Sequence, residues 1–127
     1  MPNISTITEL QDQLSSARQQ FLELWVAKPD GQRLCALING QMGWLMYLRE
    51  NGDAGFSSRN SEYRGDEKAT IEYVLDNGQH DLYPASWALP LAEVQRAVKH
   101  FISQSRPAGW VVWHNDSGDG VVIGKVA

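Results

Sequence analysis

Three runs of residues with a period of two, joined by turns too short to hold a helix, dominate positions 21–49. Leu22, Leu24 and Val26 alternate with Phe21, Glu23 and Trp25, the spacing that sends successive side chains to opposite faces of a strand. Pro29-Asp30-Gly31-Gln32 is a turn signal, because proline presets one dihedral and glycine supplies a positive one. A second strand is predicted from Arg33 to Ile38, and Asn39-Gly40 opens another tight turn. The third runs from Gly43 to Arg49, with Trp44, Met46 and Leu48 on one face and Leu45 and Tyr47 on the other. Strands in sequence with short loops form an antiparallel meander.

The flanking segments complete the pattern. A first helix is predicted from Thr8 to Gln19, capped by Thr6 or Thr8, with Leu10, Leu14 and Ala17 as its apolar stripe. Asn51 to Arg64 is polar and aperiodic and reads as a long exposed loop. Ala69–Leu75 and His80–Pro84 read as two strands around the hairpin turn Asp76-Asn77-Gly78-Gln79. From Pro90 to Gln104, Leu91, Val94, Ala97, Val98, Phe101 and Ile102 form one helical stripe, with Pro90 at the first helical position and Pro107 blocking continuation. Trp110–His114 and Val121–Val126 read as a closing hairpin around a turn at Asp116–Gly120, the second strand at an edge. The expected fold is therefore α+β: a mainly antiparallel sheet, meander plus hairpins, with two helices packed on one face. No repeat, low-complexity tract or linker divides the 127 residues, so a single domain is expected over 1–127.

Composition narrows the function. Acids outnumber bases 15 to 11, which disfavours direct nucleic-acid binding, since that normally needs a basic face. A single cysteine, Cys35, excludes an internal disulfide and any multi-cysteine zinc site. No apolar run approaches the ~20 residues of a membrane span. The first residues, Met1 to Thr6, lack a basic region followed by an apolar stretch, so no secretory signal is visible and a cytoplasmic location is expected.

Catalytic candidates are few. The glycines at 52 and 55, and at 118, 120 and 124, have no following lysine and no strand-to-helix setting, so they form no phosphate-binding loop. Asp116-Ser117-Gly118-Asp119-Gly120 is the nearest thing to a calcium loop, but lacks the alternating oxygen ligands and the terminal glutamate. His80-Asp81 could act as a general base pair only beside a nucleophile; otherwise it is a polar strand start. Cys35, mid-strand between Leu34 and Ala36, suits a small core residue better than an activated thiol. No catalytic residue, cofactor or metal is expected.

Charge and tryptophan placement are more informative. Between Glu62 and Asp81 six acids (Glu62, Asp66, Glu67, Glu72, Asp76, Asp81) face two bases (Arg64, Lys68), with Asp53 in the preceding loop and Tyr63 and Tyr73 interleaved. Such a run is either a solvated face or a patch that steers a cationic partner. Four of the five tryptophans, Trp25, Trp44, Trp110 and Trp113, fall in predicted strands. Trp87 lies between two prolines in Tyr83-Pro84-Ala85-Ser86-Trp87-Ala88-Leu89-Pro90, and reads equally as an exposed anchor or a lid over the core.

Several of these segments are similar to one family. They are Trp44-Leu45-Met46-Tyr47 after a glycine turn, the hairpin bearing Glu72-Tyr73, the helix from Ala88-Leu89-Pro90 to His100-Phe101-Ile102, and Arg106-Pro107 leading to Trp110-Val111-Val112-Trp113. Together they resemble the first-numbered family of immunity proteins in bacterial polymorphic toxin systems, over roughly residues 20 to 114. Members are typically encoded beside deaminase-type toxins. The resemblance implies a cytoplasmic antidote, not an enzyme, that binds the catalytic domain of a cognate toxin and blocks substrate entry. On that reading Asp53, Glu62, Tyr63, Asp66, Glu67 and Trp87 are the expected partner-binding residues, with an exposed strand edge as another route. A chaperone or adaptor for a secreted effector, and a small enzyme using His80 and Asp81 or Cys35, are the alternatives.

Overall fold

The computed structural model describes residues 3–16 and 20–126. The meander forms as its alternation predicts: β1 (Phe21–Ala27), β2 (Arg33–Asn39) and β3 (Met42–Leu48) pair antiparallel, with Trp25 opposite Cys35 and Cys35 opposite Met46. One face carries Leu24, Val26, Leu34, Ala36, Ile38, Leu45 and Tyr47, the other Cys35, Leu37 and Trp44. Both faces are buried, so each must be covered.

Two helices cover the first face. α1 (Ile7–Ser16) is capped by Thr6, whose hydroxyl oxygen accepts the Glu9 amide at 3.1 Å, while the Glu9 carboxylate accepts the Ser5 and Thr6 hydroxyls, also at 3.1 Å. The expected continuation through Ala17 to Gln19 lies outside the described residues. α2 (Leu91–Gln104) buries Val94, Ala97, Val98 and Phe101 in the core that also takes Ile4 and Leu10. Pro90 stands one position further out than expected, as N-cap, because Leu89 and Pro90 form a two-residue strand, β7, against Met42 and Gly43 of β3. Gly43 permits this closeness: a Cβ there would sit 2.9 Å from a Val94 methyl and 3.1 Å from the Leu37 carbonyl.

A hairpin covers the second face. β5 (Thr70–Val74) and β6 (His80–Pro84) form a separate two-stranded sheet around the predicted turn. Their inner side chains Ile71, Tyr73 and Tyr83 pack on Cys35, Leu37 and Trp44, and the Trp44 and Tyr83 rings stack with centroids 4.7 Å apart. Polar ties fix the hairpin's position. The buried Glu23 carboxylate accepts the Asp76 amide at 3.1 Å and the Trp25 indole N–H at 2.7 Å, and the Asn39 side chain donates to the Glu72 carbonyl at 2.8 Å.

Three expectations are corrected. The segment Asn51–Arg64 is not wholly a loop: β4 (Phe56–Arg59) pairs with β3 on one side and with β8 (Val112–Asn115) on the other. It escapes a hydrophobic pattern because its centre is Ser57-Ser58, both buried. The Ser58 hydroxyl accepts the Leu45 amide at 3.0 Å and donates to the Trp87 carbonyl at 3.1 Å. The Ser57 hydroxyl donates to Asp116 at 2.7 Å, so burial leaves neither wanting. Second, the strand expected at Trp110–His114 begins only at Val112. Third, the last strand is not a hairpin arm over Val121–Val126: β9 is only Lys125–Val126, and it runs parallel to β8. Asp119 and Asn115 side chains take the Val121 amide (3.0 Å) and carbonyl (2.9 Å) respectively, which removes those groups from any ladder. The main sheet runs β1-β2-β3-β4-β8-β9.

Arg49 ties the loop after β8 to the end of β3. It donates to Asp53 from Nε and Nη2, both at 2.8 Å, and pairs with Asp119 at 2.8 Å. The Asp53 carboxyl also accepts the Arg49 amide at 2.9 Å. These bonds hold it below the usual carboxylate range. Asp119 is held low too, first by the Asn115 amide and the Val121 N–H and then by Arg49.

Two outcomes test this architecture. Ser58→Ala leaves the Leu45 amide buried without its acceptor and should cost about 1–3 kcal/mol in chemical denaturation, whereas a true loop serine would cost almost nothing. A carboxyl whose native pKa lies below its unfolded value of about 3.9 adds stability that is complete above that value and lost as pH falls. Asp53→Asn should therefore lower the urea midpoint at neutral pH and flatten its decline between about pH 5 and pH 2; an unchanged acid slope would contradict the clasp.

Candidate partner-binding surface

The groups that could carry chemistry are engaged structurally. Cys35 is 2% exposed under Tyr73 and Trp44, and burial, with Glu23 nearby, pushes its thiol well above the ordinary range. His80 Nδ1 meets Glu72 at 3.1 Å on the outer face of the hairpin. Asp81, its neighbour, points to the other face and accepts from Gln79 at 2.7 Å and Tyr83 at 3.3 Å, so the two do not form a pair. Asp119 of the would-be calcium loop binds Arg49 and Asn115, and Asp116 binds Ser57 and His114. Among the described residues no group of three or more His, Cys, Asp or Glu is placed to hold a metal.

Ser57, Asp116 and His114 do come together, which the sequence does not signal because Ser57 falls in a stretch that reads as a loop. Their order differs from that of a Ser-His-acid triad. The serine hydroxyl donates to the carboxylate at 2.7 Å, and the imidazole meets the other carboxylate oxygen at 2.8 Å. In that triad the imidazole stands between hydroxyl and carboxylate, whereas here the carboxylate stands between the hydroxyl and the imidazole.

The acidic stretch forms a continuous surface feature. Glu62, Asp66 and Glu67 are exposed on the segment 60–69, which leads directly into β5 with exposed Glu72 and, at the hairpin turn, Asp76. The stretch from Glu62 to Asp81 has four more acids than bases, equal to the whole chain's net charge of -4. The segment is shaped by short bonds: Asn60 accepts the Glu62 amide at 3.0 Å, the Tyr63 hydroxyl donates to the Asp66 carbonyl at 2.8 Å, and Asp66 accepts the Lys68 amide at 2.8 Å. Asn60 also donates to the Ala88 carbonyl at 3.0 Å, which ties this segment to the turn bearing Trp87. Trp87 is partly buried over the second core, stacked on Tyr83 at 5.8 Å and covered by the Arg59 guanidinium at 3.8 Å. Glu62, Tyr63, Asp66, Glu67 and Trp87 thus share a region. Asp53 does not: it lies at the opposite end of β4, and its side chain is only 6% exposed, locked to Arg49.

Beside this region runs a half-open groove of about 570 Å³ between residues 59–62, the start of α2 and the approach to β8. Arg59, Arg96 and Lys125 line it together with Glu62 and Glu93, and the Arg96 guanidinium lies over the Trp110 ring, 4.0 Å from its centroid. Neither histidine nor cysteine lines it. Arg96 stands out in the sequence only as a solvent-facing helix residue, with no cue that an indole lies beneath it.

Cys35 provides a check on the inert reading of the interior. The native protein should resist maleimide labelling at about pH 8 and label rapidly in denaturant; fast native labelling would mean an open second core.

The chain matches the family model described as Immunity protein Imm1 over residues 3–115. No curated protein matches it. Among the described residues no helix is long and apolar enough to cross a membrane. The family match takes in α1 as well as the meander, both helix-facing and hairpin-facing segments, and β8, and so exceeds the resemblance visible from residue 20 onward. The chain belongs to the Imm1 family of immunity proteins, whose partner is a toxin protein.

Proposed function

We propose that this protein neutralises a deaminase toxin that acts on nucleic acid, in the cytoplasm, by laying its acidic surface over the toxin's substrate cleft. The observation that carries this reading is the concentration of the chain's whole acid excess between Glu62 and Asp81, on a preshaped segment and the adjoining hairpin. A cleft that holds a phosphate backbone is basic, and a carboxylate surface of fixed shape can occupy it in place of that backbone. Charge supplies rate and orientation, while buried aromatic anchors supply most of the hold. Tyr63 and Trp87 are the aromatics in this region, and Glu62, Asp66 and Glu67 the nearest carboxylates. Asp53 contributes by bracing the loop before β4 through Arg49. The function requires no turnover.

The test pairs the full chain with the toxin domain encoded beside it. A one-to-one complex that abolishes deamination of a single-stranded substrate is expected. Glu62→Lys with Glu67→Lys should slow association about tenfold or more at low salt, with the difference shrinking as salt screens the charges. A complex formed at the same rate by both proteins, at every ionic strength, would remove the acidic surface from the interface. A complex with an active toxin would overturn occlusion.

A further inference from the structure

The β5–β6 hairpin leaves one strand side open. Among the described residues its two strands pair only with each other. Two bonds fix the parity of the ladder, Leu75 N–H to the Gln79 carbonyl at 2.9 Å and Ala85 N–H to the Ala69 carbonyl at 2.8 Å. Tyr73–Asp81 and Ile71–Tyr83 lie between them at two-residue steps and are the mutually bonded pairs. The backbone groups of Glu72 on β5, and of His80 and Leu82 on β6, therefore point away from the hairpin. On β5 this side is used: the Glu72 carbonyl accepts the Asn39 side-chain Nδ2 at 2.8 Å, and the strand lies against β1 and β2. On β6 the outward N–H and C=O groups of His80 and Leu82 pair with no strand among the described residues.

The edges of the main sheet are bridged in part or short. Asn3 bridges Trp25 on β1, with the Ile4 amide donating to the Trp25 carbonyl at 2.8 Å, and β9 is two residues long. Exposed strand edges are templates for pairing, and natural chains usually blunt them. β6 instead places Leu82, 64% exposed, at the middle of its open side.

We propose that the β6 edge is an interaction site that takes an extended, basic segment of the toxin as an added strand. The proposal rests on the toxin-binding reading and names how the toxin is held. Main-chain bonds to His80 and Leu82 would supply the pairing, and side chains on alternate positions the selectivity. The charge selects the occupant. Residues 69–84 hold three carboxylates, Glu72, Asp76 and Asp81, and neither lysine nor arginine. A strand with Lys or Arg opposite Asp81 and an apolar residue against Leu82 complements that edge, whereas a second copy would set like charges across the ladder.

Leu82→Pro is a clean probe, because the Leu82 N–H points outward and its loss spares the hairpin; proline is tolerated on an edge strand in that position. With the catalytically inactivated neighbouring toxin domain and the full chain, Leu82→Pro should raise the dissociation rate about tenfold or more. Leu82→Ala keeps the donor and should lose less. Hydrogen exchange on the wild-type complex needs no variant: the His80 and Leu82 amides should gain protection. Wild-type binding with those amides still exchanging freely, or with a folded Leu82→Pro protein bound as tightly as wild type, overturns the edge proposal and leaves the immunity reading standing. A concentration-dependent dimer of the free chain that Leu82→Pro abolishes also overturns it, because the occupant is then a second copy. No complex with the wild type overturns both.

Discussion

A sheet whose centre is apolar on both faces must be covered twice, and this constraint organises the whole molecule. β2 is its clearest expression: Leu34 to Ile38 are all buried, alternating between the two cores. Five consecutive buried residues in a strand cannot be satisfied by one layer of helices. The helices α1 and α2 take one face. The other is covered by a polar-surfaced hairpin, held by Tyr73, Tyr83 and the buried Glu23 carboxylate. Covering that second face is therefore what brings the acidic stretch to a fixed place on the surface. The carboxylates that do not pack are on the same element as the aromatics that do.

Several groups that could carry chemistry are engaged in holding this fold together. Histidines, the cysteine and most loop carboxylates serve as structural ligands. Arg49 gathers Asp53 and Asp119, Asp116 gathers Ser57 and His114, and Cys35 fills the second core. What remains is shape and charge: the acidic segment, the arginine-lined groove beside it and the outward side of β6. These are features that a contact between proteins can use, in keeping with membership of an immunity family.

The elements with strong periodicity are legible in sequence to within a residue or two. The meander, the Asp76–Gln79 turn and the stripe of α2 each depend on local spacing, and the structure repeats them. The failures share a cause. β4 has one apolar residue, Phe56, followed by serines whose burial depends on partners far along the chain, the Leu45 amide, the Trp87 carbonyl and Asp116. The strand expected over Val121–Val126 is convincing by composition, but Val121 loses its backbone groups to Asn115 and Asp119. Asp53 reads as a free acid of the patch because its partner Arg49, four residues away, belongs to a strand end whose geometry local spacing does not reveal. Trp87 packs over the second core beside Tyr83 and under the Arg59 guanidinium while part of its surface stays exposed, a placement that its proline-flanked sequence does not reveal.

Alone, the order of residues determined the alternating strands, the apolar stripe of the long helix and the lopsided distribution of acids, since each follows from neighbours a few positions apart. Tertiary structure decided which acids face solvent, which polar residues could be buried and which strand side remained unpaired. Those outcomes depend on pairing across long loops, where a single hydroxyl or amide finds its partner only after the sheet has closed.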